Sequence, residues 1–119
     1  MRYSGYYDRF TYTQAKNAVF LHSNSNFVNN TIEYAKKEGV KVFWSRENIL
    51  IQGNSFNKCG MSAIAVQADG AGTTIEGVQV LDNLIKHTED NTYPGVQVIK
   101  TNGGTLNNII TDRNELIMV

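Results

Sequence analysis

The sequence predicts an all-β fold that repeats one coil about four times, and three observations carry this prediction. Asparagines recur at a nearly constant spacing, each after an alternating apolar run. A second alternating run recurs within each period. The chain has ten glycines and one proline in 119 residues, which suits short strands joined by turns. Alternating strands that repeat without hairpin turns are typical of a parallel β-helix, in which successive coils stack along one axis.

Four asparagines mark the repeat: Asn24, Asn54, Asn83 and Asn114. Their spacings are 30, 29 and 31 residues. The residues five and three positions before them form the pairs Val19/Leu21, Ile49/Ile51, Val78/Val80 and Ile109/Thr111. An asparagine adopts the left-handed conformation of a sharp corner at little cost. Stacked about 4.8 Å apart, the side-chain amides can hydrogen-bond to one another, so we expect an asparagine ladder.

The second alternating run completes the coil. It reads GVKVFW at 39–44, SAIAVQ at 62–67 and GVQVIK at 95–100, and DRFTYTQ at 8–14 fits the same place through Phe10 and Tyr12. Its predicted inward pairs are Val40/Val42, Ile64/Val66 and Val96/Val98. A short strand after each asparagine brings the total to three strands per coil, in a single domain over residues 1–119.

One short helix is expected in the loop after the first asparagine. The segment NNTIEYAKKEG begins at Asn30, a favourable N-cap residue, and has Glu33 at the third position of a capping box. Gly39 would end the helix.

Composition excludes several classes of function. The 11 basic and 11 acidic residues are mixed along the chain, so there is no basic stripe for nucleic acid. No apolar run is long enough to span a membrane. Cys59 is the only cysteine and is interpreted as a small buried residue in a turn. The sequence shows no metal-ligand spacing and no cofactor motif, so we expect neither a metal nor a cofactor.

The segment NILIQGNSFNKCGMSAIAV at 48–66 resembles the right-handed parallel β-helix of the pectin-lyase-like superfamily. That superfamily includes pectate lyases, polygalacturonases, alginate-processing enzymes and phage tailspikes, and it carries an asparagine ladder. The resemblance covers residues 8–119 and implies the fold more strongly than an activity. The aspartate cluster and arginine base of pectate lyases are missing, and so are the paired aspartates and Gly-His-Gly segment of polygalacturonases.

The resemblance implies a substrate groove beside the first strand of each coil. The outward positions there are Thr11, Lys41, Ala65 and Gln97, followed two residues later by Phe43, Gln67 and Ile99. Trp44 and Tyr93 are aromatic residues that could stack on sugar rings. The expected substrate-binding residues are Lys41, Gln67, Gln97 and Tyr93, with Lys41 facing an acidic sugar.

The loop KHTEDNTYPG at 86–95 contains the candidate catalytic residues His87, Glu89 and Asp90. Two carboxylates and an imidazole could perform acid–base chemistry on a glycosidic bond. The alternative is a solvated loop whose charges maintain solubility. Asp82 and Arg113 fall at one register in adjacent coils, which predicts a surface ion pair.

Two functions remain open at this stage. One is a carbohydrate-active domain, lyase or hydrolase, that binds or cleaves polysaccharide. The other is a structural or adhesive β-helix segment, such as part of a trimeric phage tailspike. The apolar NELIMV at 114–119 suggests a fragment of a longer β-helix, or an end covered by another subunit. Either function would place the protein outside the cell or on a virion, with polysaccharide as its partner and neither nucleic acid nor membrane.

Overall fold

The structure is a computed structural model that describes residues 5–8, 11–13 and 19–119. All of its regular elements are short β-strands, and their alternating apolar residues account for them. The strands are β1 (Gly5–Asp8), β2 (Thr11–Thr13), β3 (Val19–Phe20), β4 (Ser25–Val28), β5 (Thr31–Glu33), β6 (Val40–Phe43), β7 (Arg46–Gln52), β8 (Ser55–Asn57), β9 (Ile64–Asp69), β10 (Thr74–Leu81), β11 (Leu84–His87), β12 (Val96–Thr101), β13 (Thr105–Asp112) and β14 (Glu115–Met118).

The strands form three parallel sheets. Each of the first four coils contributes one strand to each sheet, and β13 and β14 extend sheets A and B. Sheet A has the order β1-β4-β7-β10-β13. Sheet B has the order β2-β5-β8-β11-β14, and sheet C has the order β3-β6-β9-β12. Successive strands of a sheet therefore belong to successive coils. The predicted solenoid of about four coils, with three strands in each, is confirmed.

The core is a set of apolar stacks that run along the solenoid axis. In sheet A, Ile51 pairs with Phe27 on one side and Val80 on the other, and all three are fully buried. Sheet B supplies the stack Ile32, Phe56 and Ile85. Sheet C supplies the rows Val40, Ile64, Val96 and Val42, Val66, Val98. Each inward residue thus packs on its equivalent in the next coil.

An asparagine ladder joins the coils where sheet A passes into sheet B. Asn54 Nδ2 donates a hydrogen bond to Asn83 Oδ1 at 2.9 Å, and Asn83 Nδ2 donates to Asn114 Oδ1 at 2.9 Å. The Nδ2 of each ladder asparagine also donates to a carbonyl oxygen of the preceding coil. Asn54 bonds to Phe27 O, Asn83 to Ile51 O and Asn114 to Val80 O. Asn54 and Asn83 are each only 2% exposed. The ladder is confirmed for Asn54, Asn83 and Asn114.

The first rung of the ladder is Asn30, so the prediction of Asn24 was wrong. The backbone N–H of Asn30 donates to Asn54 Oδ1 at 2.8 Å, as the equivalent amides do in later coils. Asn24 lies at an earlier bend, where Asn48 Nδ2 donates to its Oδ1 at 2.9 Å. The step from Asn30 to Asn54 is shorter than the later steps, and the assumption of a constant repeat length therefore misplaced the first rung.

The left-handed residue at the ladder corner is the one before each ladder asparagine, which corrects a second expectation. These residues are Asn29, Gly53, Asp82 and Arg113, with φ of 57°, 69°, 54° and 54°. The corner itself therefore tolerates four residue types. The asparagine that follows is selected by its two hydrogen-bonding groups rather than by its backbone.

The first coil departs from the sequence alignment in sheet C as well. Val19 and Phe20 pair with Val40 and Lys41, so β3 occupies the place that had been assigned to DRFTYTQ. Tyr12 pairs instead with Ile32 in sheet B, and Phe10 lies outside the described residues. The inward pairs predicted for the later three coils are confirmed.

The helix predicted from Asn30 to Gly39 is wrong, because this segment is strand β5 followed by a loop. Ile32 is fully buried in the sheet B stack against Phe56. The Asn30 amide that a capping box would use bonds to Asn54 instead. Tertiary burial and the ladder therefore override the local helix signal.

Candidate functional site

The outward side of sheet C, here called the sheet C face, is the candidate site. Pairing places Lys41 beside Ala65 and Ala65 beside Gln97, and it places Gln67 between Phe43 and Ile99. The structure therefore brings Lys41, Gln67 and Gln97 onto neighbouring strands of one surface, as expected. Thr11 does not belong to this surface, because its strand β2 lies in sheet B. Phe20 of β3 occupies the position beside Lys41.

An aromatic cluster occupies the end of the sheet C face nearest the first coil. The Trp44 ring stacks on Phe20 with centroids 6.5 Å apart and an interplanar angle of 18°. It also meets Phe43 at 5.0 Å with a tilt of 56°. Trp44 is 57% exposed and Phe20 is 39% exposed. These three rings, Phe20, Phe43 and Trp44, form the aromatic platform, which presents an apolar surface to solvent. The sequence analysis had identified Phe43 as an outward residue and Trp44 as an aromatic residue that could stack on sugars, but it had missed Phe20.

A strained corner holds Trp44 in place. Its φ is 67°, which is unusual for a bulky side chain. The chain crosses here from β6 to β7 through two residues only, Trp44 and Ser45, whereas longer connections follow β9 and β12. The Arg46 guanidinium carbon lies 5.8 Å from the indole centroid on the other side of the corner. The short corner and the ring contacts together fix the direction of the indole.

Lys41 is already paired with groups of the protein. Its Nζ lies 3.6 Å from Glu38 Oε2 and 4.8 Å from the centroid of the Phe43 ring. Glu38 is only 7% exposed, and the pair is therefore partly shielded from water. Much of the charge of Lys41 is thus satisfied before any ligand arrives.

A polar network covers the opposite end of the sheet C face. Asp69 Oδ1 accepts hydrogen bonds from Thr101 Oγ1 at 2.7 Å and from Asn102 Nδ2 at 2.8 Å. Gln67 Nε2 donates to Thr101 Oγ1 at 3.3 Å, which links Gln67 to the network. The Thr101 bond, then the Asn102 bond, and more weakly the nearby Lys41 charge hold the pKa of Asp69 below its usual value. Asp69 was missed by the sequence analysis, although it continues the outward alternation of Ala65 and Gln67.

The structure separates the three candidate catalytic residues. His87 ends β11 and is 1% exposed, so its side chain lies inside the coil. Glu89 and Asp90 are exposed in the loop that follows, where Thr88 Oγ1 donates to Asp90 Oδ1. An imidazole inside the coil and two solvent-exposed carboxylates do not form one cluster. The acid–base roles of these residues remain predictions.

Asn91 anchors this loop to the coil below. Its Nδ2 donates to the carbonyl oxygens of Cys59 and Met61 at 2.7 and 3.2 Å, while its Oδ1 accepts from the backbone N–H of Tyr93 at 3.0 Å. Tyr93, a predicted substrate-binding residue, is 42% exposed. The loop is thus a braced element that displays Tyr93 to solvent.

Two further expectations are confirmed away from the sheet C face. Cys59 is buried, and the loss of hydration raises the pKa of its thiol to about 12, which makes it a poor nucleophile. Arg113 Nε lies 2.7 Å from Asp82 Oδ1 in the adjacent coil, as the predicted ion pair requires. This bond, with a smaller contribution from Gln52, lowers the pKa of Asp82.

The part of the chain that the structure describes contains no group of three or more His, Cys, Asp or Glu side chains that could hold a metal ion. No helix in that part is long and apolar enough to cross a membrane. Comparisons with protein-family models, with curated proteins and with solved structures found no match to this chain.

Proposed function

We propose that the protein binds polysaccharide along the sheet C face. The observation that carries this proposal is the exposed aromatic platform of Phe20, Phe43 and Trp44 beside the polar side chains of Gln67 and Gln97. Sugar rings have an apolar face of C–H groups and an edge of hydroxyl groups. Aromatic rings pack on the first, and amides hydrogen-bond to the second.

The spacing of the coils fits a chain-like ligand. Adjacent strands lie about 4.8 Å apart, close to the length of one sugar residue. A glycan that runs along the solenoid axis would therefore meet one coil per sugar, first the aromatic platform and then the Gln67 and Gln97 positions. Binding is better supported than cleavage, because Glu38 on this side is paired with Lys41 and the imidazole of His87 is buried. Lyase or hydrolase chemistry through Glu89 and Asp90 is the catalytic form of the proposal.

Removal of the Trp44 ring tests the proposal. Both Trp44 and Tyr34 are exposed aromatic residues with positive φ, 67° and 61° respectively. Glycine tolerates this conformation, so Trp44→Gly and Tyr34→Gly are matched variants with little backbone strain. In affinity electrophoresis through gels that contain dextran, galactomannan, polygalacturonate or alginate, we expect Trp44→Gly to lose the retardation of the parent and Tyr34→Gly to keep it. Equal retardation of both variants would place the site elsewhere.

We also propose that the chain belongs to the pectin-lyase-like superfamily and that its coils are right-handed. Three parallel strands per coil and an asparagine ladder at the bend between two sheets support this assignment. Extracellular or virion-surface localisation follows from the same assignment.

A structural or adhesive role is the second candidate, and the exposed apolar side chains of β14 favour it. Leu116 and Met118 are 47% and 48% exposed, whereas their equivalents one coil earlier, Ile85 and His87, are buried. Such an exposed apolar surface is suited to contact with another subunit, as in a trimeric appendage. Sedimentation equilibrium distinguishes the candidates: self-association without glycan binding would favour the structural role.

A further inference from the structure

We propose that the sheet C face selects a neutral glycan and that Asp69 is the residue that recognises its hydroxyl groups. This inference rests on the proposed function, and it replaces the expectation of an acidic sugar at Lys41. Asp69 ends β9 on the outward side of the sheet and pairs with Thr101 of the next coil.

The Asp69 carboxylate is held in position with one oxygen open. Thr101 and Asn102 both donate to Oδ1, whereas Oδ2 accepts no hydrogen bond from any described residue. The two donors fix the plane of the carboxylate and keep it ionised, since they lower its pKa. An ionised carboxylate with a free oxygen accepts a charge-assisted hydrogen bond, and each sugar hydroxyl can donate one.

The charges around the face disfavour a polyanion. Lys41 is paired with Glu38, and Arg46 lies beyond Trp44 at the corner, where Glu47 follows it in β7. Arg46 and Glu47 belong to sheet A, and on the sheet C side itself Lys41 is set against two carboxylates, Glu38 and Asp69. A uronate chain would bring repeated negative charge to Asp69, which like-charge repulsion opposes. A neutral glycan carries no charge for Asp69 to repel. Its hydroxyl groups can hydrogen-bond to the polar network, and its apolar faces can pack on the aromatic platform.

Asp69→Asn tests this inference, because it removes the charge and keeps the shape and an acceptor oxygen for Thr101. Binding is measured by calorimetry with dextran and galactomannan as neutral probes and with polygalacturonate and alginate as acidic probes. We expect the parent to bind a neutral probe and neither acidic one. Asp69→Asn should weaken the neutral complex about tenfold or more, which is the usual effect of a charge-assisted hydrogen bond. The control Asp112→Asn, which removes an exposed carboxylate from sheet A, should leave glycan binding unchanged.

The pH dependence supplies a second readout. Because the pKa of Asp69 is lowered from its usual value of 3.8, neutral-glycan binding should be constant near neutrality and fall only below that value. The Asn variant should lack this fall.

The outcomes separate this inference from the proposed function. If Trp44→Gly loses binding, the proposed function stands. The inference about Asp69 is then overturned if Asp69→Asn binds as the parent does, or if the parent binds polygalacturonate more tightly than the neutral probes. Binding that survives Trp44→Gly, or a parent that binds none of the four probes, would contradict both.

Discussion

At the scale of single residues, the ladder asparagines show why one residue type recurs at one corner. The Asn54 side chain is buried and makes three hydrogen bonds: its Nδ2 donates to Phe27 O and Asn83 Oδ1, and its Oδ1 accepts from the Asn30 amide. No other uncharged side chain of this size offers an acceptor and two donors together. The residue before each ladder asparagine varies from Asn29 through Gly53 and Asp82 to Arg113, and these four residues share a left-handed backbone conformation.

Replacement of Asn54 by alanine should therefore be costly. The substitution removes the three hydrogen bonds of the Asn54 side chain from a buried corner, and we expect the free energy of unfolding to fall by ~1–3 kcal/mol. Denaturant titration measures the loss. Asn26→Ala, at an exposed strand position, serves as the control and should be near neutral. An equal loss in both variants would show that the ladder contributes nothing specific.

His87 is the least satisfied buried residue in the described part of the chain. Its side chain lies inside the coil, and neither ring nitrogen has a hydrogen-bond partner among the described residues. Each unpaired buried polar atom costs free energy, so His87→Leu should raise the free energy of unfolding by about 1 kcal/mol or more. Chemical denaturation of the variant checks this. A fall in stability would contradict this prediction and show that the imidazole stabilises the fold, whereas loss of a glycan-cleaving activity in a variant that still folds would give it a functional role.

At the scale of strands, a strand could be predicted from the sequence where its pattern matches the equivalent segments of the other coils. The sheet C rows from Val40 to Val98 and the sheet A stack from Ile49 to Ile109 were predicted correctly, because alternation and repeat length agree there. The interval from Asn30 to Asn54 is shorter than the later intervals, and Asn24 lies at a different bend, so alignment by residue type placed the first rung wrongly. The strand β5 was missed because the local signal around Glu33 favours a helix, whereas burial of Ile32 decides the structure.

The candidate site was predictable to a similar degree. Strand alternation placed Lys41, Gln67 and Gln97 on one face, since the register follows from the inward residues. The contacts of Phe20 with Trp44 and of Lys41 with Glu38 depend on the two-residue corner and on loop geometry, which no periodicity encodes.

The interior stack of sheet A should carry a large part of the stability. Ile51 lies between Phe27 and Val80. The sequence alignment had instead suggested Leu21 as its neighbour in the preceding coil. Ile51→Ala would open a cavity between two coils at a cost of roughly 2–5 kcal/mol. Leu50 is the preceding residue in the same strand, points outward and is only partly buried, so Leu50→Ala should cost much less. Equal midpoints in a urea titration would mean that the two faces of β7 are wrongly assigned.

At the scale of the whole molecule, the solenoid separates stability from binding. The inward residues hold the coils together. The outward side chains of sheet C do not contribute to this core, so they can vary while the regular backbone of the sheet keeps them in fixed positions. The aromatic platform and the polar network of Asp69 both lie on this face, within a few strands of each other. A rigid surface needs little reordering when it binds, which favours recognition of an extended and flexible polymer.

Trp44 is the only tryptophan in the chain, so its fluorescence reports directly on the aromatic platform. A titration of the folded protein with a neutral polysaccharide that it binds should shift and change the tryptophan emission along a saturable curve. The same titration with polygalacturonate should leave the emission unchanged. A neutral glycan that binds by calorimetry yet leaves the Trp44 emission unaltered would contradict the proposed site.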